Sequence, residues 1–429
     1  MTTTAPTPGG SFAASATATS PAGADPSSHC PYRQAALLQQ ALSPDKMRVG
    51  FFLGAGCPLA VEVPVGTGTW PLIPSIEGLT DIIRVSVGQS VNHKSHFDGI
   101  LKQLGDGPST KKTVEQILSQ IRGLREVVGT DKINDMSEDD LDKLDKAICL
   151  EIDRVMRKRL PTQSTPYHQL AEWIRSIPRA HPVEIFTSNY DLLMEQALED
   201  CEVSYFDGFT GSVRAFFDLG SMEQEKLPAR WARLWKVHGS INWWRTRDKR
   251  VYRGEKGKDV IAQMIHPSHM KYDESRKMPY LAMQDRLRSF LARGQTVLVT
   301  CGYSFLDFHL NQAILDGLVG NPTAVCFGLV WGDRKDAAAA IANAGPCGNL
   351  RLLSADGGVL RKIAKDWHST SKADDQMHTL AVCTGTLGAR SQAPNDRCKF
   401  ILGDFKSLGE FLADQLARRG EHEGDGDAA

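Results

Sequence analysis

The chain has 429 residues, 41% hydrophobic and 24% charged, enough apolar material for one large domain or two smaller ones without help from disulfides. Fifty basic residues against fifty-one acidic ones leave a formal charge of -1, so composition gives no global case for direct nucleic-acid binding or for an anionic membrane surface. Nine cysteines, at positions 30, 57, 149, 201, 301, 326, 347, 383 and 398, include no C-x-x-C pair; the chain reads as reduced, cytoplasmic and without a zinc ribbon or other metal site.

Residues 1–30 are dominated by Thr, Ala, Ser and Pro and offer too few large apolar side chains to offset the entropy of ordering, which predicts a disordered N-terminal segment. No apolar run approaches the roughly 20 residues that span a bilayer, and no basic start precedes an apolar core. Met47 to Leu53 then reads as a buried strand feeding the tight loop Gly54-Ala55-Gly56. Further on the period changes. Val114, Ile117, Leu118 and Ile121, and later Leu141, Leu144, Ile148, Ile152 and Met156, recur at helical spacing, which predicts a helical insertion over about residues 80–165 with Gly129 to Asp140 linking its helices. Its apolar stripes are candidate surfaces for self-assembly or a partner.

After Pro161 the pattern alternates between strand and helix. Tyr167 to Ile177 reads as a helix, Val183 to Ser188 as a strand, and Leu192 to Leu198 as the start of another helix. Leu234 to Val237, Val297 to Thr300 and Ala324 to Val330 read as further strands, and His309 to Leu318 as a helix. Lys399 to Leu402 and a helical Leu408 to Leu416 close the main domain, assigned to residues 31–418, before a flexible acidic tail over 419–429. This alternation predicts an α/β fold with a parallel sheet.

Four strand-like runs are each followed by glycine or polar residues, which is how an open α/β sheet builds a site at its carboxyl edge. Gly54-Ala55-Gly56 is either a tight structural turn or a loop that lets phosphate approach the backbone; Leu59 stands where a third glycine would complete G-x-G-x-x-G. Asn189 and Asp191 are either helix caps or ligand contacts. His238, before Gly239, is either a structural histidine or a base in a cleft, and Trp235, Trp243 and Trp244 either wall a core or dry that cleft. Gly302-Tyr303-Ser304 repeats the strand-to-helix pattern, and Asp307 reads as a cap rather than a catalytic group. His266 and His269 read as surface histidines. No G-x-S-x-G elbow, Walker loop or H-E-x-x-H is present.

Taken in order, G-A-G, T-S-N-Y-D, K-V-H-G-S-I-N-W and G-Y-S-F-L-D resemble the motifs of the sirtuin fold, and more closely those of the sirtuin-like NAD hydrolases of bacterial antiphage defence. The resemblance covers about residues 45–410. It implies a Rossmann-like sirtuin-type parallel sheet with an inserted helical subdomain. It places the pyrophosphate at Gly54, Ala55 and Gly56 with Cys57 where a small hydroxyl residue is common, the adenosine ribose near Gly302, Tyr303 and Ser304, and the nicotinamide and its ribose near Asn189 and Asp191, with His238 as the catalytic histidine. The family's usual G-[IVL]-P-[DE]-[FW]-R run is missing from Val61 to Pro74, and helices occupy the place of the four-cysteine zinc ribbon of deacylases. The expected activity is therefore hydrolysis of NAD by water, with transfer to an acyl-lysine, or ligand sensing without turnover, as the alternatives. Nicotinamide leaves NAD as a neutral molecule, so a strong general acid is unnecessary; the site must stabilise an oxocarbenium-like ribose and place a nucleophile. Asn189 would position water, Asp191 would add negative potential, and His238 would take a proton. The resemblance further implies a gated effector that works as a homo-oligomer or with a HerA-like ring ATPase.

Overall fold

Runs of apolar residues with no solvent-facing alternation form the middle of a nine-stranded sheet, as expected for parallel strands covered on both faces. A computed structural model describes residues 29–43, 46–176, 179–223, 227–258, 260–265, 278–344, 347–368, 380–384 and 398–424. Most of the expected N-terminal disorder, and His266 and His269, lie outside the described residues. In chain order the strands are β1 (Arg48–Leu53), β2 (Glu184–Thr187), β3 (Tyr205–Phe206), β4 (Ala232–Lys236), β5 (Thr296–Cys301), β6 (Val325–Leu329), β7 (Leu350–Leu353), β8 (Gly357–Leu360) and β9 (Ile363–Asp366). Their spatial order is 9-8-7-6-5-1-2-4-3. Pairing is parallel from β7 across to β3 and antiparallel at β8 and β9.

This order creates a switch point. The chain leaves β1 for β2 on one side and later returns with β5 on the other, and open α/β sheets bind ligands in the crevice that such a reversal leaves at their carboxyl edge. Register makes the edge level: Leu53 pairs with both Cys301 and Thr187, and Thr187 with Lys236. Four loops therefore start from one line.

Helix α1 (Pro31–Leu42) precedes the sheet, with buried Cys30 at its N-cap, so order begins slightly before residue 31. Between β1 and β2 stand α2 (Ile76–Ser86), α3 (Lys94–Gln103), α4 (Val114–Val127) and α5 (Glu138–Met156). Capping boxes start the last two, Thr113 with Gln116 and Ser137 with Asp140, each satisfying two amides that a helix start leaves open. The apolar stripes of α4 and α5 are spent inside the molecule: Ile117, Leu118, Ile121, Leu141, Leu144, Ile148 and Ile152 are buried in the main core, at roughly 1.5–3 kcal/mol per side chain removed from water. Arg122 Nε donates to Asp145 Oδ1 at 2.7 Å between the same two helices. The expectation that these stripes offer a partner surface is thereby corrected.

After the insertion come α6 (Pro166–Ser176), α7 (Leu193–Asp200), α8 (Tyr280–Leu291), α9 (Phe308–Gly320) and α10 (Phe405–Gly424). The last extends beyond the expected Leu416 and carries helix into the tail taken as flexible from residue 419. A second, five-stranded antiparallel sheet includes Gly239–Thr246 and Val251–Arg253. Cys398–Phe400 pairs with Val382–Thr384 in a separate ribbon. No helix among the described residues is long and apolar enough to cross a membrane.

Candidate active site

The loop after β1 is held against the loop after β5 chiefly by backbone. Gly54 N donates to Cys301 O and Gly56 N to Gly302 O, both at 2.9 Å. A Cβ at Gly54 would lie 2.3 Å from Gly302 O, and one at Gly302, whose φ is +63°, would lie 2.6 Å from Cys57 N. These glycines are thus required by loop-to-loop packing whether or not a phosphate approaches them. Ala55 and Gly56 face the cleft at this edge, whereas Gly54 and Cys57 are not among its lining residues. Cys57 is fully buried, its thiol donates to Cys301 O at 3.2 Å, and burial pushes that thiol far above its ordinary range. Gly54 and Cys57 thus take a supporting position behind the cleft wall.

Gly54 instead acts through its carbonyl. Asn189 Nδ2 donates to Gly54 O at 3.0 Å, while Asn189 N donates to Thr187 Oγ1, whose hydroxyl donates to Leu53 O at 2.8 Å. The side chain is thus anchored by its nitrogen and keeps its carboxamide oxygen as an acceptor. Two residues on, Asp191 Oδ1 accepts from Leu193 N at 2.9 Å at the start of α7. Burial, opposed by Lys236, lifts the Asp191 carboxyl to about 6. Lys236, itself buried, donates to Glu195 Oε1 at 2.9 Å and to the carbonyl of Asp191.

His238 lies two residues beyond β4, and Gly239 with φ +93° turns the chain into the antiparallel sheet, a conformation that explains the His-Gly pair. Ile241 N then donates to Tyr190 O at 3.0 Å, which ties the histidine segment to the Asn189 loop. His238 Nε2 lies 3.1 Å from Asp307 Oδ2. Asp307 is also the N-cap of α9 through Oδ1, which accepts from Leu310 N at 3.0 Å. The cap reading was correct for one oxygen and missed the other. No local pattern could have supplied it, since the pairing depends on β4 and β5 delivering distant residues to one edge.

Tyr303 and Asn311 hold that second loop in shape. Tyr303 Oη donates to Asn311 Oδ1 at 2.7 Å, and Asn311 Nδ2 donates to Phe305 O at 2.6 Å. Phe305, a buried non-glycine with φ +55°, is strained by on the order of 1–3 kcal/mol, and the turn it makes brings Asp307 to His238. Trp235 and Trp243 are core residues and Trp244 is buried; none lines the cleft, which agrees with the core alternative.

The cleft itself has a volume of about 1390 Å³ and is lined by Asn189, Asp191, His238, Gly302, Tyr303, Ser304 and Asp307. The hairpin Glu62–Val65 and Gly68–Pro71 flanks it where the family's usual run is missing, and the insertion reaches it through Thr113 and Glu115. Tyr190 Oη donates to Glu115 Oε1 at 2.6 Å, a contact absent from the sequence reading. Lys406 is the one lysine or arginine among the described lining residues, against carboxylates that include Glu62, Glu115, Asp191, Asp307 and Asp404. The cleft is a negative environment. Among the described residues no cluster of three or more His, Cys, Asp or Glu could hold a metal ion.

Residues 183–340 match the SIR2-like domain family. That SIR2-like stretch contains Asn189, Asp191, His238, the Gly302 loop and Asp307, and leaves the G-A-G loop and the insertion outside it. The match, with the sheet topology, supports a sirtuin-like family and a Rossmann-like sirtuin fold. Among solved structures the chain is similar to a Sir2 homologue with a serine-to-alanine substitution in complex with ADP-ribose, at 12% identity and TM-score 0.33 over 68% of this chain and 83% of that one. It is similar also to a structure described as the basis for the mechanism and regulation of Sir2 enzymes, at 13% identity and TM-score 0.33 over 70% and 84%. A third is a Sir2 histidine-to-tyrosine mutant with a p53 peptide and NAD, at 12% identity and TM-score 0.30 over 69% and 86%. No curated protein matches.

Proposed function

We propose that the chain is an NAD glycohydrolase, releasing nicotinamide and ADP-ribose. The observation that carries this reading is the convergence of the Asn189 carboxamide and the His238–Asp307 pair on one cleft at the switch point of the sheet. A binding module needs no oriented imidazole there. NAD fits the donor set in a particular way: the described lining offers a single lysine, so the pyrophosphate would rest on backbone amides near Ala55 and Ser304, with Gly56, whose N–H is engaged by Gly302 O, allowing close approach, while the carboxylates would suit the cationic nicotinamide end and the positive charge that develops on the ribose.

Each side chain then has a task set by its contacts. Asn189, fixed through its nitrogen by Gly54, presents an oxygen that orients water or the nicotinamide amide. An imidazole donating from Nε2 to Asp307 carries its lone pair on Nδ1 and can take a proton from water or a ribose hydroxyl; once doubly protonated, it is stabilised by the same carboxylate. Asp191, turned toward Leu193 with its carboxyl lifted to about 6 by burial, shapes the loop and adds field. Tyr303 and Ser304 stand where the adenosine ribose would lie.

We place this activity in a cytoplasmic, gated effector of antiphage defence, acting as a homo-oligomer or with a HerA-like ATPase; what supports that further step is the motif resemblance. The activity test is incubation of the purified chain with NAD, alone and with an acetylated peptide, following nicotinamide, ADP-ribose and acetyl-ADP-ribose by chromatography. ADP-ribose without peptide, lost in His238→Ala, is the expected result. Acetyl-ADP-ribose formed only with peptide would replace this reading by a deacylase, and NAD binding without turnover, even with the partner present, would replace it by a sensor.

A further inference from the structure

At the amino edge of the sheet, opposite the cleft, three guanidinium groups surround a second cavity. It has a volume of about 210 Å³ and is lined by Arg48, Arg233 and Arg286 together with His181, with Phe206 and Trp235 forming part of an apolar wall. Arg48 opens β1, and Arg233 lies near the start of β4. From Arg233 to His238 the extended chain advances roughly 16 Å, so this cavity is separate from the candidate active site.

Among the described residues that line it, positive charge predominates. Among the described residues no carboxylate lines the cavity; behind it lies buried Glu184, which already accepts from Arg286 Nε at 3.2 Å, from Arg286 Nη2 at 3.0 Å and from Trp235 Nε1 at 2.7 Å. Arg233 is buried and donates to backbone carbonyls, with bonds of 2.6 Å to Trp231 O and 3.2 Å to Leu227 O. Burial pulls its guanidinium down to about 10, with Glu184 opposing and Arg286 adding to the fall. His181 is also lowered, first by burial and then by Arg48. The Arg48 side chain has no hydrogen bond or ion pair among the described residues. Guanidinium groups gathered with one carboxylate among them favour an incoming anion, and their planar donors suit oxyanions best.

We propose that this cavity is a binding site for a phosphate group, taken as inorganic phosphate or as the end of a small phosphomonoester, with Arg48 as its principal donor. The positive field of Arg233 and Arg286 supports the dianion, and the Phe206 and Trp235 rings accept an apolar substituent. The volume holds one such group and excludes a dinucleotide.

The test is calorimetric titration of the full chain in chloride buffer with inorganic phosphate and, in parallel, phenyl phosphate. The wild type is expected to bind one equivalent, and Arg48→Gln to bind about tenfold more weakly or less while keeping the ligand-free Tm. His238→Ala, altered only in the cleft, should bind as the wild type does. Tighter binding of phenyl phosphate would assign the site to a phosphomonoester, and equal or weaker binding to free phosphate. Absence of binding by the wild type, or binding that Arg48→Gln leaves unchanged, would overturn the proposal. So would loss of binding in His238→Ala with retention in Arg48→Gln, which would move the phosphate to the cleft. If Arg48→Gln is itself unstable, Arg48→Lys serves, since it keeps the charge, loses the planar fork and is expected to weaken binding less than Gln.

Discussion

The loops that leave β2 and β5 are built alike, and one atom separates their roles. Each carries an aspartate that accepts, through Oδ1, from a backbone N–H at the start of the following helix: Asp191 from Leu193 N, Asp307 from Leu310 N. In Asp307 the second oxygen reaches His238 Nε2 at 3.1 Å. Asp191, by contrast, is buried enough for its carboxyl to rise to about 6. The same local feature, an aspartate that accepts from a backbone amide at a strand-to-helix turn, as an N-cap in Asp307 and as an Asx turn before the cap in Asp191, thus yields a partner for an imidazole in one loop and a reluctantly charged structural group in the other. A carboxylate's function is decided by the oxygen that its cap does not use.

The largest effect expected is on the groups the two loops serve. Removing His238 or Asn189 by alanine should lower NAD cleavage about a thousandfold, on the order of 4 kcal/mol in activation free energy, the range of a lost general base or oriented nucleophile. Steady-state assays of both variants check this, and an active His238→Ala would end the assignment of a base to that residue.

Next comes the pH dependence of stability, where the comparison gives a sign. Asp191 has a folded-state value of about 6 against roughly 3.9 in an unfolded chain. The folded state therefore holds the extra proton between those values, and the contribution of Asp191 to stability falls as pH rises from about 4 to about 6, by up to about 3 kcal/mol. Asp207, also lifted to about 6 by burial, moves the same way and is common to wild type and variant. Asp191→Asn should consequently be the more stable protein at pH 7.5 and should lose part of the slope between pH 4 and 6 in denaturant titrations. Parallel stability curves for the two proteins would show that Asp191 is charged at little cost.

Asp307→Ser separates the two oxygens. Serine caps a helix nearly as well as aspartate, so the Tm should shift little, while kcat should fall by about 10- to 100-fold, less than the loss for the histidine itself. KM should change little, because the contact orients His238 and does not touch the bulk of the substrate. Equal loss of stability and activity would reduce Asp307 to a cap.

Legibility followed burial. The middle strands were readable because Phe51, Phe52, Val297 and Leu298 have no solvent side and form unbroken apolar runs. The exposed hairpin after residue 61 and the outer strand Ile363–Asp366 lack that signal, and the two-residue Tyr205–Phe206 is too short to show a period. Asn189 and His238 were legible as candidates since each lies two residues beyond a buried strand. The Asp307 contact, and the packing of Gly54 on Gly302, were not, for both are set by which strands become neighbours in space. The stripes of α4 and α5 were read correctly as helical and wrongly as available, because periodicity identifies an apolar face and says nothing about what covers it.

The smallest effect tests whether the insertion acts on the Asn189 loop. Tyr190 sits between Asn189 and Asp191, and its hydroxyl donates to Glu115 in the first turn of α4 at 2.6 Å. Burial, and then the Glu115 carboxylate, hold that phenol protonated, so the bond persists across the working pH range. Tyr190→Phe removes one charge-assisted hydrogen bond while keeping the ring; because Glu115 lies at the cleft and can be rehydrated, the cost should be about 1 kcal/mol. If the bond only stabilises, kcat will be unchanged at a temperature where both proteins are folded. If α4 positions the loop, kcat should fall about two- to fivefold, as expected for a modest misplacement of Asn189, and Glu115→Gln, whose amide oxygen can still accept from the phenol, should restore more activity than Glu115→Ala. That graded order would make the insertion part of the active site's support, and with it a place where a partner bound to these helices could act on the Asn189 loop without entering the cleft.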